Sequence, residues 1–290
     1  MSFILTLSCP DRPGIVSAVT GFLVQHNLNI IDSSQFGDPT SHRFFMRMHF
    51  GADTTGTNPT SSEELNVDIL RAAFEPIATA HSMSFQLLAA THKPRVLIMV
   101  SKIGHCLNDL LFRYSTGQLA IEVPLIVSNH PDFAALAATY KIPFVHLPVS
   151  ADTKAEQEGK ILDLIAEHSI ELVVLARYMQ VLSPRLCEAM SGKIINIHHS
   201  FLPSFKGAKP YHQAYDRGVK LVGATAHFVT SDLDEGPIIE QNVVRVNHGL
   251  SPKELTHAGS NVESNVLAAA VKYFAERRVL LNGHKTVVFN

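Results

Sequence analysis

The chain has 290 residues, of which 46% are hydrophobic and 17% are charged, and its formal net charge at pH 7 is −2. This length predicts two domains, and the near-neutral charge excludes a general attraction to nucleic acid or to anionic membranes. The apolar runs are too short to span a membrane, and residues 3–7 are too short for a signal peptide and lack its basic lead-in.

The three cysteines, Cys9, Cys106 and Cys187, are odd in number and scattered along the chain. This usage is typical of reduced, buried thiols in a cytoplasmic protein. The sixteen histidines do not form a His-Glu-x-x-His motif, and no paired Cys-x-x-Cys accompanies them. The sequence therefore predicts no metal site and argues against a zinc hydrolase.

The first 90 residues are predicted to form a domain of their own. Apolar residues Ile15, Val19, Phe22 and Leu23 recur at helical spacing after a Pro-Gly turn. The predicted order is a strand at 3–8, a helix at 15–26, strands at 30–36 and 43–50, an exposed loop at 51–62, a helix at 62–81 and a strand at 83–89. This βαββαβ order is that of a ferredoxin-like unit.

A polar hinge at residues 91–93 leads into a second predicted domain, residues 94–290. Short runs rich in Val, Ile and Leu alternate there with helical patterns, which predicts a Rossmann-like, mostly parallel sheet covered by helices on both faces. The predicted strands are 96–100, 121–127, 143–147, 172–175, 194–198, 223–230 and 285–289, and the predicted helices are 105–114, 133–140, 154–168, 184–190 and 251–275.

Three polar side chains stand where two of these strands end. Asn196 and His198 are two residues apart at the end of a buried strand, so they project from the same face. Asp234 follows the next strand, in an acidic loop that contains glycine. In open sheets of this kind the ligand crevice lies beyond the carboxyl ends of the strands. An amide donor, an imidazole and a carboxylate together are suited to stabilising an oxyanion and moving a proton.

The two segments that carry these residues form a pair of motifs. They read Asn196-x-His198-x-Ser200-x-Leu202-Pro203 and His227-x-Val229-x-x-x-x-Asp234-x-Gly236-Pro237. Together they resemble the folate-dependent formyltransferase family, and the match extends from about residue 94 to the C terminus. The resemblance implies that Asn196, His198 and Asp234 are catalytic, that 10-formyltetrahydrofolate is the substrate, and that no cofactor is required.

Two features of this domain favour the hydrolytic branch of the family. The turn after its first strand has a single glycine, Gly104, beside a bulky Ile103, and is poorly suited to hold an acceptor phosphate. His199 stands where the family commonly has proline, and together with residues 101–107 and 206–211 it resembles the formyltetrahydrofolate deformylases. That branch releases tetrahydrofolate and formate, which supplies purine synthesis and balances the one-carbon pool. The alternative is formyl transfer to an amine such as glycinamide ribonucleotide.

Further residues have implied or open roles. The resemblance implies that the segment Met179, Gln180, Val181 and Leu182 offers backbone groups to the pterin ring, although a helix-start loop with a core-filling methionine is an alternative. Arg177 stands where a small residue is often found, which narrows the site against a large amine. His199 either positions the attacking water or packs behind the site. His227 has apolar neighbours, which is more typical of a core histidine than of a site residue.

The first turn of the N-terminal domain, residues 11–16, resembles that of ACT domains. These are small regulatory modules that bind amino acids at interfaces between copies. The resemblance implies an effector such as glycine or methionine near Asp11, Gly14 and Asn29, and a homo-oligomer. Two alternatives are a plain tight turn that opens a helix, and a non-catalytic amino-acid sensor. The intact residues Asn196 and His198 argue against the second.

Overall fold

The computed structural model describes residues 1–52, 66–203 and 210–290. They form two compact units. The first contains Met1–His92, Arg277–Asn282 and Val287–Asn290, and the second contains Lys93–Glu276 and Gly283–Thr286. Across the described ranges, no helix is both long enough and apolar enough to cross a membrane.

The first unit is a four-stranded antiparallel sheet with two helices. Its elements are β1 (Ser2–Pro10), α1 (Ile15–Gln25), β2 (Leu28–Asp38), β3 (Arg43–Ala52), α2 (Val67–Ala80) and β4 (Ser84–Ala89). The strand order is β2-β3-β1-β4, so the ferredoxin-like βαββαβ prediction is confirmed. The four apolar residues predicted to form one face of α1 are the four that it buries. Most of the loop predicted at 51–62, and the predicted start of the second helix, lie outside the described residues.

The second unit contains a seven-stranded sheet. Its elements are β5 (Arg95–Val100), α3 (His105–Ser115), β6 (Glu122–Ser128), α4 (Ala134–Thr139), β7 (Phe144–His146), α5 (Lys154–Glu167), β8 (Leu172–Leu175), α6 (Pro184–Ala189), β9 (Ile194–His198), α7 (Pro210–Asp216), β10 (Leu221–Phe228), β11 (Ile238–Arg245) and α8 (Pro252–Ala275). The strand order is β11-β10-β9-β8-β5-β6-β7. Five strands are parallel, and β10 runs antiparallel to both of its neighbours. The predicted mostly parallel sheet is therefore confirmed.

The strands at the centre of this sheet are apolar on both faces and are buried. All four residues of β8 are buried, and so are five of the six residues of β5. Helix α8 begins with a capping box between Ser251 and Glu254, which satisfies backbone donors at its N-terminus. It packs against β10 and β11. Neither α7 nor β11 was predicted, and β11 mixes polar and apolar residues without alternation.

The C-terminal residues after α8 form two short strands, β12 (Val279–Asn282) and β13 (Lys285–Val288). Gly283 lies between them with φ 61°, a left-handed conformation that glycine adopts at little cost. The Asn282 side chain donates a hydrogen bond of 2.7 Å to the carboxylate of Asp38, which lies at the end of β2. This contact attaches the end of the chain to the first unit.

Candidate active site

Strand β9 carries two of the predicted catalytic residues between a parallel and an antiparallel neighbour. In the antiparallel pairing with β10, Asn196 lies opposite His227 and His198 lies opposite Thr225. The amide nitrogen Nδ2 of Asn196 is 3.3 Å from Nε2 of His227. The register of two strands therefore brings a second histidine to the site.

The loop between β10 and β11 returns Asp234 towards these strands. A Cβ atom at Gly236 would lie 1.7 Å from the carbonyl oxygen of Phe228, so only glycine allows the loop to approach the end of β10 this closely. The backbone nitrogen of Phe228 donates to Pro237 across the same approach, at 2.9 Å. Asp234 itself has φ 57°, in the left-handed region that aspartate tolerates better than most residues.

The Asp234 carboxylate lies between two imidazole rings. Its Oδ2 is 3.2 Å from Nδ1 of His198, and its Oδ1 is 3.6 Å from Nε2 of His227. Burial acts to raise the pKa of Asp234, but the hydrogen bond and charge of His198, with the nearby ring of His227, outweigh it and bring the pKa below its ordinary value. Asp234 is therefore ionised at neutral pH. The structure brings Asn196, His198 and Asp234 together with His227, which we call the catalytic cluster.

His198 has one engaged and one open nitrogen. Asp234 accepts from Nδ1, so Nε2 is the nitrogen that remains to exchange a proton. Nε2 is buried and has no hydrogen-bond partner among the described residues. A buried polar atom without a partner marks the place where a ligand or water would bind.

His227 orients the amide of Asn196. Its Nδ1 lies 2.8 Å from the carbonyl oxygen of Phe228, and because a carbonyl only accepts, Nδ1 carries the hydrogen. In the neutral ring Nε2 then accepts from Asn196, which leaves the second N–H of that amide for another acceptor. His227 is 2% exposed, as expected of a core histidine, but it also contacts two site residues. Sequence reasoning missed this role, although His227 belongs to the same motif as Asp234.

His199 lies between the catalytic cluster and a second polar group. Its ring centroid is 5.3 Å from that of His198 and 6.1 Å from that of Tyr211. Burial, followed by the positive charge of Arg177, lowers the pKa of His199 to about 4. The ring is therefore neutral at physiological pH and offers a lone pair.

The second polar group surrounds Glu263, in the middle of α8, whose side chain is 1% exposed. His105 lies 2.8 Å from its Oε2, and the Tyr211 hydroxyl donates to its Oε1 at 2.5 Å. The Nε of Arg177 is 3.5 Å from Oε2, within ion-pair distance. Burial acts to raise the pKa of Glu263, but the hydrogen bond of His105 and the charge of Arg177 outweigh it and lower the pKa. We call these four residues the Glu263 cluster.

One group of side chains within the described residues has the spacing of metal ligands, namely His105, Cys106 and Glu263, whose ligand atoms all lie within 4.8 Å of one another. Burial strongly raises the pKa of the Cys106 thiol, and the charge of Glu263 raises it further, so the thiolate that a metal prefers is disfavoured. All three cysteines of the chain are buried and free, as predicted.

The turn at Gly104 has a packing role. A Cβ atom there would lie 2.3 Å from the ring of Phe133, so glycine allows this ring to pack against the start of α3.

The residues of the predicted folate-binding segment differ in their solvent exposure. Met179 and Val181 are more than half exposed, whereas Leu182 is in the core. The Met179 backbone nitrogen already donates to the hydroxyl of Ser101, at 2.9 Å.

The predicted effector residues lie in the first unit. Asp11 and Gly14 are in the turn between β1 and α1, where Gly14 has φ 95° and precedes the helix. Asn29 lies near the start of the edge strand β2, opposite Gly51 of β3. All three are exposed.

Comparison with known proteins agrees with this architecture. Residues 94–271 match the model of the formyl transferase family, and residues 3–57 match that of the ACT domain. A formyltetrahydrofolate deformylase from Corynebacterium sp. (strain P-1) is 53% identical over 98% of this chain and 97% of its own length. A crystal structure of formyltetrahydrofolate deformylase from Burkholderia mallei is 55% identical, with a TM-score of 0.93, and the match covers 100% of this chain and 99% of that one.

The fold and the site thus define a formyl transferase domain joined to an ACT domain. A glycinamide ribonucleotide transformylase from Symbiobacterium toebii is less similar, at 28% identity and a TM-score of 0.66 over 69% of this chain and 95% of its own. The chain belongs to the formyltetrahydrofolate deformylase family, as the resemblance predicted.

Proposed function

We propose that the chain hydrolyses 10-formyltetrahydrofolate to tetrahydrofolate and formate. One observation carries this proposal. Asp234 engages one nitrogen of His198, while the other nitrogen is buried without a partner among the described residues, and the oriented amide of Asn196 is on the same face of β9, two residues away. An open imidazole nitrogen next to an amide donor is the arrangement that attack of water on a formyl carbon requires.

The reaction needs one bond made, one bond broken and two protons moved. Water forms a C–O bond to the formyl carbon and gives a proton to Nε2 of His198, and the carbonyl oxygen becomes an oxyanion. The free N–H of Asn196 donates to that oxygen. Collapse of the tetrahedral intermediate breaks the C–N10 bond, and protonated His198 returns the proton to N10. The carboxylic acid that leaves loses its proton to solvent and departs as formate.

Two neighbours assist this chemistry. His227 accepts from Asn196 and lies beside Asp234, so we assign it the role of positioning both. His199 is neutral and lies next to His198, and its lone pair accepts a hydrogen bond from the attacking water.

The pterin ring rests against the segment Met179, Gln180, Val181 and Leu182. The Met179 backbone nitrogen bonds Ser101, so we expect other backbone groups of this segment to be the ones that hold the ring.

Incubation with 10-formyltetrahydrofolate alone tests the reaction. Release of formate and tetrahydrofolate in equal amounts, without any acceptor, supports hydrolysis. Formation of tetrahydrofolate only after addition of glycinamide ribonucleotide, with the formyl group on that amine and no formate released, would instead establish formyl transfer, the alternative reading of the motifs. Because no cofactor takes part in the proposed steps, dialysis against a chelator should leave the rate unchanged.

We further propose that residues 1–90 regulate the catalytic domain that begins at residue 94, in a cytoplasmic homo-oligomer. The ACT match and the exposed residues Asp11, Gly14 and Asn29 support binding of an amino acid. Titration of glycine and of methionine against the rate of formate release tests this. Asp11→Asn should reduce the response and leave the basal rate unchanged. No response to either amino acid would leave these residues with a role in assembly alone.

A further inference from the structure

The Glu263 cluster contains a cation, Arg177, whose charge is balanced but two of whose nitrogens have no hydrogen-bond partner among the described residues. The Arg177 side chain is 8% exposed, and its Nε and Nη1 are buried without a hydrogen-bond partner within the described parts of the chain. Nε lies 3.5 Å from Glu263, but Glu263 makes its hydrogen bonds to His105 and Tyr211. Glu263 therefore balances the charge of Arg177 but does not accept a hydrogen bond from its Nε or Nη1.

Arg177 and His198 of the catalytic cluster both have His199 as a neighbour. Strands β8 and β9 are parallel, and their last paired residues are Leu175 and Asn196. The charge of Arg177 contributes to lowering the pKa of His199, the residue after His198, so the guanidinium lies near that ring. Arg177 has φ 64°, so the chain leaves the regular strand conformation at this residue. The ring of His199 spans the interval between His198 and Tyr211.

We infer that Arg177 forms a binding site for a small carboxylate, and that its occupant is formate. Vacant buried donors on a guanidinium call for an acceptor, and a carboxylate is the acceptor that makes the strongest hydrogen bonds with arginine. The assignment to formate rests on the proposed function, in which hydrolysis generates this anion next to His198.

The site separates the product from the reacting groups. The formyl oxygen of the substrate is uncharged, and the leaving product carries a full negative charge at neutral pH. A guanidinium therefore binds the product in preference to the substrate. Transfer of the anion towards Arg177 leaves Asn196 and His198 available for the next substrate.

The test is a titration of the full-length chain with ¹³C-labelled formate, followed by NMR at constant ionic strength with chloride as the balancing anion. The wild type should bind formate saturably, and Arg177→Gln should raise the dissociation constant by about tenfold or more, since charge-assisted hydrogen bonds are lost. The matched control is Arg185→Gln, which removes the same charge from an exposed position on α6. It should bind formate as the wild type does.

A second variant keeps the experiment decisive if Arg177→Gln fails to fold. Arg177→Lys retains the charge that balances Glu263 but loses most of the donors, and it should weaken formate binding several-fold. Binding unchanged in both variants, or no saturable binding to the wild type, would overturn the inference. The titration uses no folate and no turnover, so its failure is distinct from failure of the proposed hydrolysis.

Discussion

Two carboxylates of the second unit, those of Asp234 and Glu263, each lie among histidines, and the difference between their surroundings separates the proposed reactive groups from structural ones. The Asp234 side chain is 12% exposed and its two oxygens face two imidazoles, one of which has an open nitrogen. The Glu263 side chain is 1% exposed, and its hydrogen bonds come from His105 and Tyr211. In the proposed mechanism Asp234 thus orients the imidazole that reacts, while Glu263 balances a cation.

If this distinction holds, neutralising Asp234 should abolish turnover without unfolding the protein. Asp234→Asn removes the charge that orients His198, and the rate of formate release should fall by about 10²–10⁴-fold. Asp232→Asn is the matched control, because Asp232 is exposed in the same loop. Circular dichroism should show both variants folded. Full activity of Asp234→Asn would remove this carboxylate from the mechanism.

The opposite result is expected at the other carboxylate. Glu263→Gln leaves the buried charge of Arg177 without its counter-ion, which should lower the free energy of unfolding by about 3–5 kcal/mol. Urea denaturation measures this, with the exposed Glu188→Gln on α6 as control. A double variant with Arg177→Gln should recover part of the loss. A loss below about 1 kcal/mol for Glu263→Gln would show that the ion pair does not balance the charge.

Within the catalytic cluster, Asn196→Ala should lower kcat by about 10²–10³-fold, as removal of an oxyanion donor does. His227→Asn should have a smaller effect, about tenfold, because the hydrogen bond it removes only orients Asn196. In the double variant the two effects should not add, since His227 acts through Asn196. Additive effects would place His227 outside this role and leave it a core histidine.

His199 provides a smaller test based on pH. Its pKa is about 4 in the folded protein and 6.5 in the reference state, so the unfolded chain binds a proton that the folded chain does not between these values. Stability from this residue is therefore full above pH 6.5 and is lost as the pH falls towards 4, by about 3 kcal/mol. Urea midpoints at pH 7 and pH 4.5 should differ less for His199→Asn than for the wild type. Equal differences would contradict the depressed pKa.

Local sequence patterns were sufficient to predict most of the helices and strands. The strand predicted at 172–175 has the same bounds in the structure, because an unbroken apolar run can only be buried on both faces. The strand that ends in His198 was predicted equally well. Strand β11 was not predicted, since it pairs with β10 on one side only and its sequence lacks the alternation that identifies a strand. The attachment of Asn282 to Asp38 could not be foreseen either, because the two residues are 244 positions apart.

The amino-acid sequence by itself determined the two folds and three members of the catalytic cluster, since periodicity and motif spacing are properties of short segments. Only the tertiary structure decided the rest. The place of His227 depends on the register between β9 and β10, and the Glu263 cluster joins His105 to a residue 158 positions away. Such contacts arise when strands pair and helices pack, and local sequence patterns do not show which distant side chains will then be in contact.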